Sequence, residues 1–264
     1  MSGRSQGKAL CPGYRALRLL RRGWALDVYD AWSEERDCRC VAKVIPTRRL
    51  GDAETRAALF LEAKLLLGLA HPHLVRAYEL VRRPRPVLVL ETLTGATLSR
   101  LIAYHPRGFA PRDVLFLGIH LCSALSHLHR TGYLHLDIKP SNVVAQDGSA
   151  KLIDLSVAAR AGRRQRGVGT DRYMSPEQIE GGRLTPAADV WGLGCVLYEA
   201  ARGAPAFRNP RRRRFEQLSL RPPALREVSR LPRVPAEAID ACLHPNPAGR
   251  PALRDLGAAL RASV

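Results

Sequence analysis

Lysine is scarce in this chain. Only Lys8, Lys43, Lys64, Lys139 and Lys151 occur among 42 basic residues, so arginine carries nearly all of the formal charge of +18. A planar guanidinium does not replace a compact ammonium on a flexible stem, which makes the surviving lysines informative. Long apolar runs are missing as well. No stretch reaches the roughly 18 apolar residues that a membrane helix needs, and Met1 to Lys8 is polar, without the apolar centre of a signal peptide. A membrane span is therefore not expected, and a cytoplasmic location is. Cysteine is too sparse for a disulfide framework: six are scattered, at Cys11, Cys38, Cys40, Cys122, Cys195 and Cys242. Cys38 and Cys40 have no second cysteine pair or histidine pair to complete a zinc site. The excess of basic over acidic side chains suits acidic proteins, anionic lipid or nucleic acid. No aromatic-interleaved basic motif accompanies it, so no specific nucleic-acid partner is expected.

The chain does hold 264 residues at 46% apolar content, enough to bury a large core in one domain or two lobes. Its densest chemistry lies in His135-Leu136-Asp137-Ile138-Lys139-Pro140-Ser141-Asn142. Upstream, Val114, Leu117, Leu121, Leu125 and Leu128 recur at helical spacing, and Thr131-Gly132 reads as the stop. Downstream, two short apolar runs flank Asp147-Gly148, a hairpin signal, and Asp154 follows the second run. Asp137, Lys139, Asn142 and Asp154 are thus expected on loops around one rigid hairpin, where catalytic groups usually sit.

The earlier part reads as strands, then one helix, then strands. Tyr14 to Leu20 and Val28 to Trp32 flank a turn over Arg21 to Asp27. Cys38 to Ile45 is an apolar strand with Val41 and Lys43 on one face. A helix is expected from Asp52, its N-cap, to Leu69. Glu62 falls on that helix's apolar side, among Ala58, Leu59, Leu65 and Leu66. A buried carboxylate needs a partner, and Lys43 is the natural candidate. Leu74 to Val81 and Pro86 to Leu90 read as further strands. The histidines at His71 and His73, and at His127, His129 and His135, read as structural, not as metal ligands.

Asp137 followed five residues later by Asn142, and then by Asp154-Leu155-Ser156, resembles the catalytic-loop and metal-binding motifs of protein kinases. The resemblance runs from about Tyr14 to Leu260, and the phrasing around Asp137 and Asp154 is similar to bacterial, particularly actinobacterial, serine/threonine kinases. It implies an α+β bilobal fold: a small antiparallel sheet with one helix over residues 13–93, then a larger, mainly helical lobe over 94–264, with 1–12 as a flexible leader. It implies ATP between the lobes, contacted by Leu20, Gly23, Val28, Val41, Lys43, the gatekeeper Leu90 and the hinge from Glu91 to Leu93. Lys43, positioned by Glu62, would hold phosphates. Asp137 would accept the substrate hydroxyl's proton, Lys139 would neutralise the transferring phosphoryl group, and Thr170 would bond near both. Asn142 and Asp154 would hold Mg²⁺. Glu177 would pair with Arg250, and Asp189 would brace the catalytic loop. Partners would be ATP and protein substrates, with a separate sensor or regulatory protein as a further candidate.

The chain departs from the family in four places. Of three glycine positions in the phosphate-covering loop, Arg21, Gly23 and Leu26, only the middle one is glycine. That loop is expected to cover ATP more loosely, with Arg21 or Arg22 supplying charge in place of amide contacts. Leu136 replaces the arginine before the catalytic aspartate, and Leu155-Ser156 replaces Phe-Gly. Between Ser156 and Thr170 there is no serine or threonine, so switching by phosphorylation of this segment is not expected. Arg163, Arg164 and Arg166 would favour acidic or phosphorylated substrates, whereas the run from Arg208 to Arg214 reads as a solvated loop. The alternative to an active enzyme is a pseudokinase, a nucleotide-binding or scaffolding module on the same fold.

Overall fold

A computed structural model describes residues 8–208 and 215–264. The chain divides into two compact units, Met1–Thr94 and Gly95–Val264. The first is built on a six-stranded sheet. Its strands are β1 (Ala9–Cys11), β2 (Tyr14–Arg22), β3 (Asp27–Ser33), β4 (Cys38–Val44), β5 (Ala77–Val81) and β6 (Val87–Glu91), in the order β1-β2-β3-β4-β6-β5 with antiparallel neighbours. Successive side chains alternate between faces. Leu10, Tyr14, Ala31, Ala42, Val44, Val87 and Val89 accordingly meet on one face as a core cluster.

Strand β1 corrects the expectation of a flexible leader over residues 1–12. Ala9 pairs with Arg15 and Cys11 with Tyr14, and Leu10 and Cys11 are buried in that cluster. The apolar pair gains a core to fill, and Gly13, at φ +76°, lets the chain reverse straight into β2. Residues 1–7 lie outside the described ones. The first turn is also tighter than expected. Arg21 pairs with Val28 and Arg22 with Asp27, so only Gly23 to Leu26 lies between the strands. The strand expected from Leu74 begins only at Ala77.

Helix α1 (Ala53–Gly68) starts where its cap residue places it: Asp52 Oδ1 accepts the amides of Glu54 and Thr55 at 3.1 and 3.2 Å. Its buried side chains include Leu59, Glu62, Ala63, Leu65 and Leu66.

The second unit is mainly helical, completing the expected α+β class. After β7 (Ala96–Thr97) come α2 (Leu98–Tyr104) and α3 (Pro111–His129). Val114, Leu117, Leu121, Leu125 and Leu128 are buried along α3, and Gly132 (φ +80°) ends its run. A Cβ at Gly118 of α3 would lie 2.5 Å from a Leu260 methyl and 3.2 Å from a Leu197 methyl, so both side chains pack directly over this glycine. After β8 (Tyr133–Leu134), the strands β9 (Val143–Gln146) and β10 (Ser149–Leu152) form the hairpin. Asp147 and Gly148 both have positive φ, +50° and +74°, as a two-residue I′ turn requires. Strand β11 (Ala159–Arg160) pairs with β8. Then follow α4 (Pro176–Glu180), α5 (Pro186–Arg202), α6 (Leu225–Val228), α7 (Arg233–Cys242) and α8 (Leu253–Arg261). Helix α5 is buried almost throughout, and its Trp191 stacks on Phe207 with centroids 5.5 Å apart. Among the described residues no helix is long and apolar enough to cross a membrane.

Candidate active site

In the first unit, sheet register decides which side chains share a face. Lys43 is opposite Val28 and Leu88, and Val41 is opposite Leu90. These five therefore lie on the face away from the core cluster. Lys43 Nζ meets Glu62 Oε1 at 2.6 Å, with Lys43 8% exposed and Glu62 fully buried. Burial of one such charge alone would be very costly, so the strand and the helix are locked at this point. Leu90 is buried in β6. The Glu91 amide donates to Arg76 O and its carboxylate accepts from Arg76 N, which ties both to the residue just before β5. Leu93 follows in a loop.

The turn at Gly23 is held from outside. A Cβ at Gly23 would collide with the Leu26 carbonyl, so glycine is required there by the turn itself. Arg48 donates to Gly23 O at 2.9 Å, and the Arg49 guanidinium lies 3.3 Å from the centroid of the Trp24 ring, which is 77% exposed. Leu20 stands exposed at the β2 bulge between Leu19 and Arg21. Of the two arginines expected to add charge here, Arg21 pairs with Val28 on the Lys43 face and Arg22 pairs with Asp27 on the other. Arg22 therefore lies on the face away from Lys43.

In the second unit the octet is fixed from beneath. Asp189 of α5 is buried and accepts three hydrogen bonds: the His135 and Leu136 amides at 2.8 Å each, and His129 Nε2 at 2.7 Å. Burial by itself raises its pKa, but the His129 hydrogen bond, the charges of His129 and His135 and the His135 amide outweigh it. They hold the carboxyl below its usual range. Leu136 (φ +64°) is buried in an apolar cluster with Leu134, Ala159, Leu184 and Ala188, beside Val168.

Above that base the polar groups converge. The Thr170 hydroxyl donates to Asp137 Oδ1 at 2.7 Å and accepts from Lys139 Nζ at 2.7 Å. Lys139 Nζ lies 2.6 Å from Asp137 Oδ2. Asn142 Nδ2 donates to Asp137 O at 2.9 Å and to Asp137 Oδ2 at 3.2 Å. Asp154, at φ +70°, follows Ile153, whose amide donates to Asn142 O. The sequence-identified residues of this unit, Asp137, Lys139, Asn142 and Thr170, are thus one hydrogen-bonded group, and Asp154 lies two residues beyond the hairpin's second strand, after the Ile153 amide that binds Asn142 O.

Glu177 and Arg250 form a bidentate pair at 2.6 and 2.9 Å. Two glutamines that the sequence reading passed over bracket the segment between Asp154 and Glu177. Gln178 Nε2 donates to Leu136 O and Val168 O, and Gln217 Nε2 donates to Asp171 O and Met174 O. Gln178 had a signal, since Ser175 and Gln178 stand three apart before α4 and form a capping box. Gln217 had none.

The remaining candidates have other partners. His127 Nδ1 bonds Arg130, and His135 bonds Ile153 O and the Asp137 amide. Burial pushes the Cys40 thiol up to about 12, and the six cysteines are free. Among the described residues no group of three or more His, Cys, Asp or Glu side chains is placed to hold a metal ion. Arg163, Arg164 and Arg166 are exposed, with the segment pairing back to Arg183 and Leu184. The basic run from Arg211 to Arg214 lies outside the described residues, while Arg208 is tied to Glu216 through its amide.

The family described as protein kinase domain matches residues 14–259. Serine/threonine-protein kinase PknD of Mycobacterium tuberculosis is 33% identical over 255 residues, covering 93% of this chain and 38% of the relative. PkaA of Streptomyces coelicolor is 31% identical over 231 residues, 83% of this chain and 42% of the relative. PknB of Mycolicibacterium smegmatis is 34% identical over 160 residues, 55% of this chain and 25% of the relative. The chain thus spans less than half the length of each of these proteins. With the matched region running nearly end to end and the family's polar groups in hydrogen-bonded register, this chain belongs to the protein kinase family, among relatives that are actinobacterial serine/threonine kinases.

Proposed function

We propose that the chain is an active serine/threonine protein kinase, transferring the γ-phosphate of Mg-ATP to protein hydroxyls. The observation that carries this reading is the Thr170 hydroxyl, which bridges Asp137 and Lys139 at 2.7 Å on each side. Phosphoryl transfer asks for positioning and charge neutralisation more than for covalent catalysis. Asp137 orients the substrate hydroxyl and accepts its proton as the new P–O bond forms and the bond to ADP breaks. Lys139 neutralises charge on the phosphoryl group, and Lys43, held by Glu62, binds the phosphates of ATP. The adenine is assigned to Leu20, Val28, Val41, Leu90, Glu91 and Leu93.

Asn142 and Asp154 fit Mg²⁺: both are hard oxygen donors, and this ion takes one or two carboxylates plus substrate phosphates and water. With Asn142 Nδ2 committed to Asp137, its carbonyl oxygen is the end left for the cation. When bound, the ion would neutralise charge on the phosphate oxygens.

The reading includes constitutive competence. Leu136 stands where the family's arginine would grip an activation-segment phosphate, and it packs instead against Ala159, Leu184 and Val168. The Thr170 hydroxyl is already engaged. Mass spectrometry of active protein tests this: activity that tracks a phosphate on Ser156 or Thr170 would overturn it. Exposed Arg163, Arg164 and Arg166 favour acidic or phosphorylated substrates.

The deciding experiment is transfer of labelled γ-phosphate to an acidic and a basic generic protein, with Asp154→Ala beside wild type. Label in serine or threonine, greater on the acidic protein and absent with Asp154→Ala, is expected. Tight ATP binding without transfer would support the pseudokinase reading, which the two missing glycines favour.

A further inference from the structure

The first unit carries a concave site on the sheet face opposite Lys43. Asp27 precedes Val28 along β3 and pairs with Val44, so it projects to the side away from Lys43, which pairs with Val28. There a cavity of about 340 Å³ is lined by Lys8, Arg22, Arg48 and Arg85, with Asp27 and Tyr29. That volume is at the small end of small-molecule pockets.

Three features make this a built site. Its cations come from four separate segments. Lys8 precedes β1 and has its carbonyl bound by the Ala16 amide, Arg22 closes β2, Arg48 lies in the turn after β4, and Arg85 precedes β6. Two of these arms are anchored: Arg85 Nε donates to Leu10 O at 3.1 Å and Arg48 to Gly23 O at 2.9 Å. The third feature is Asp27. It is 7% exposed, and its Oδ1 is buried without a hydrogen-bond partner. A buried carboxylate oxygen left in that state marks a missing donor.

We infer that this cavity binds a small phosphorylated compound bearing a hydroxyl group, of the sugar-phosphate class. Guanidinium groups match phosphate oxygens in geometry and charge, so Arg22, Arg48 and Arg85 with Lys8 take the phosphate. The hydroxyl donates to Asp27, a contact that sulfate, which holds no proton near neutral pH, cannot make and that inorganic phosphate can make only by turning its own P–OH away from the cations. Tyr29, which packs against the core cluster, supplies an aromatic part of the same wall. Through Arg48, the site is joined to the Gly23 turn. The inference concerns the first unit alone and stands whether or not the chain transfers phosphate.

Isothermal titration of the whole chain tests it, with ribose 5-phosphate, inorganic phosphate and sulfate as probes, in EDTA at fixed ionic strength. Ribose 5-phosphate is expected to bind at least about tenfold tighter than sulfate, and Arg22→Ala to weaken it by at least about tenfold. Asp27→Asn, which keeps an acceptor oxygen and loses the charge, is expected to reduce the preference of ribose 5-phosphate over inorganic phosphate. Lys43→Met combined with Glu62→Gln, which removes both charges of the buried pair on the opposite face, is expected to leave the affinity unchanged. Equal binding of all three anions would reduce the site to general charge attraction and overturn the inference. So would binding lost in the folded Lys43→Met, Glu62→Gln protein, binding unmoved by Arg22→Ala, or no binding at millimolar probe. Arg22 is exposed at a strand end, so its variant remains decisive if Asp27→Asn does not fold.

Discussion

Two regions of this molecule to which the proposed function gives the same task, control of phosphate charge, are built in opposite ways. At the Gly23 turn, two of the family's three glycines are gone, and the turn is held by Arg48 and Arg49 from the side. Around Asp137 nothing polar in the proposed machinery is replaced, and Thr170, Lys139 and Asn142 all reach it. The substituted residue of the octet, Leu136, contributes its backbone to Asp189 and Gln178 and its side chain to an apolar cluster. The difference teaches which parts of the chemistry depend on a particular side chain. A covering turn works through backbone approach and tolerates another source of charge, whereas proton acceptance needs one carboxylate in one place.

Removing a partner from the buried pair tests this contrast most severely. Glu62→Ala leaves Lys43 buried without its carboxylate, and a loss of about 3–5 kcal/mol is expected, read by denaturant unfolding. Unchanged stability would mean that the pair positions nothing. Thr170→Val keeps the shape and deletes the hydroxyl that bridges Asp137 and Lys139. A fall in kcat of about 10²-fold is expected with little change in KM for ATP, measured by steady-state kinetics.

Leu136→Arg asks whether the family's residue can simply be restored. The cluster around it is buried and apolar, so the charge gains no partner within it, and destabilisation of about 3 kcal/mol is expected from thermal unfolding, with no new dependence on phosphorylation.

Asp189 adds a pH signature. Its folded pKa is held below the usual value, so its contribution to stability is present above the unfolded pKa of about 3.9 and is lost as pH falls through the folded pKa. Asp189→Asn is expected to cost about 2 kcal/mol near neutral pH, and the gap to wild type to narrow below about pH 4. A gap that stays constant down to pH 2 would remove the carboxylate from the argument. The smallest effect is assigned to Arg21→Gly, which is expected to shift KM for ATP by no more than about threefold and to leave kcat alone.

Much of this was legible in the sequence because it is local. Asp52 announces its own cap, Asp147-Gly148 its own turn, and the Asp137 to Asn142 spacing its own loop. Glu62 on an apolar helix face demanded a cation, and Lys43 met it. What escaped depends on partners far along the chain. Leu10 and Cys11 become a strand only because β2 lies beside them. Arg21 and Arg22 separate to opposite faces only through register with Val28 and Asp27. Gln217 reaches the Asp171 and Met174 carbonyls across more than 40 positions, and neither its neighbours nor its spacing mark it.

The most direct measurement is the rate of γ-phosphate transfer at saturating Mg-ATP in wild type and Asp137→Asn, with ATP affinity measured on the same samples. Transfer in wild type that falls by about 10²–10⁴-fold in the variant, with ATP affinity held within about threefold, is the expected result. Equal transfer in both proteins, or ATP binding with no transfer in wild type, would contradict it.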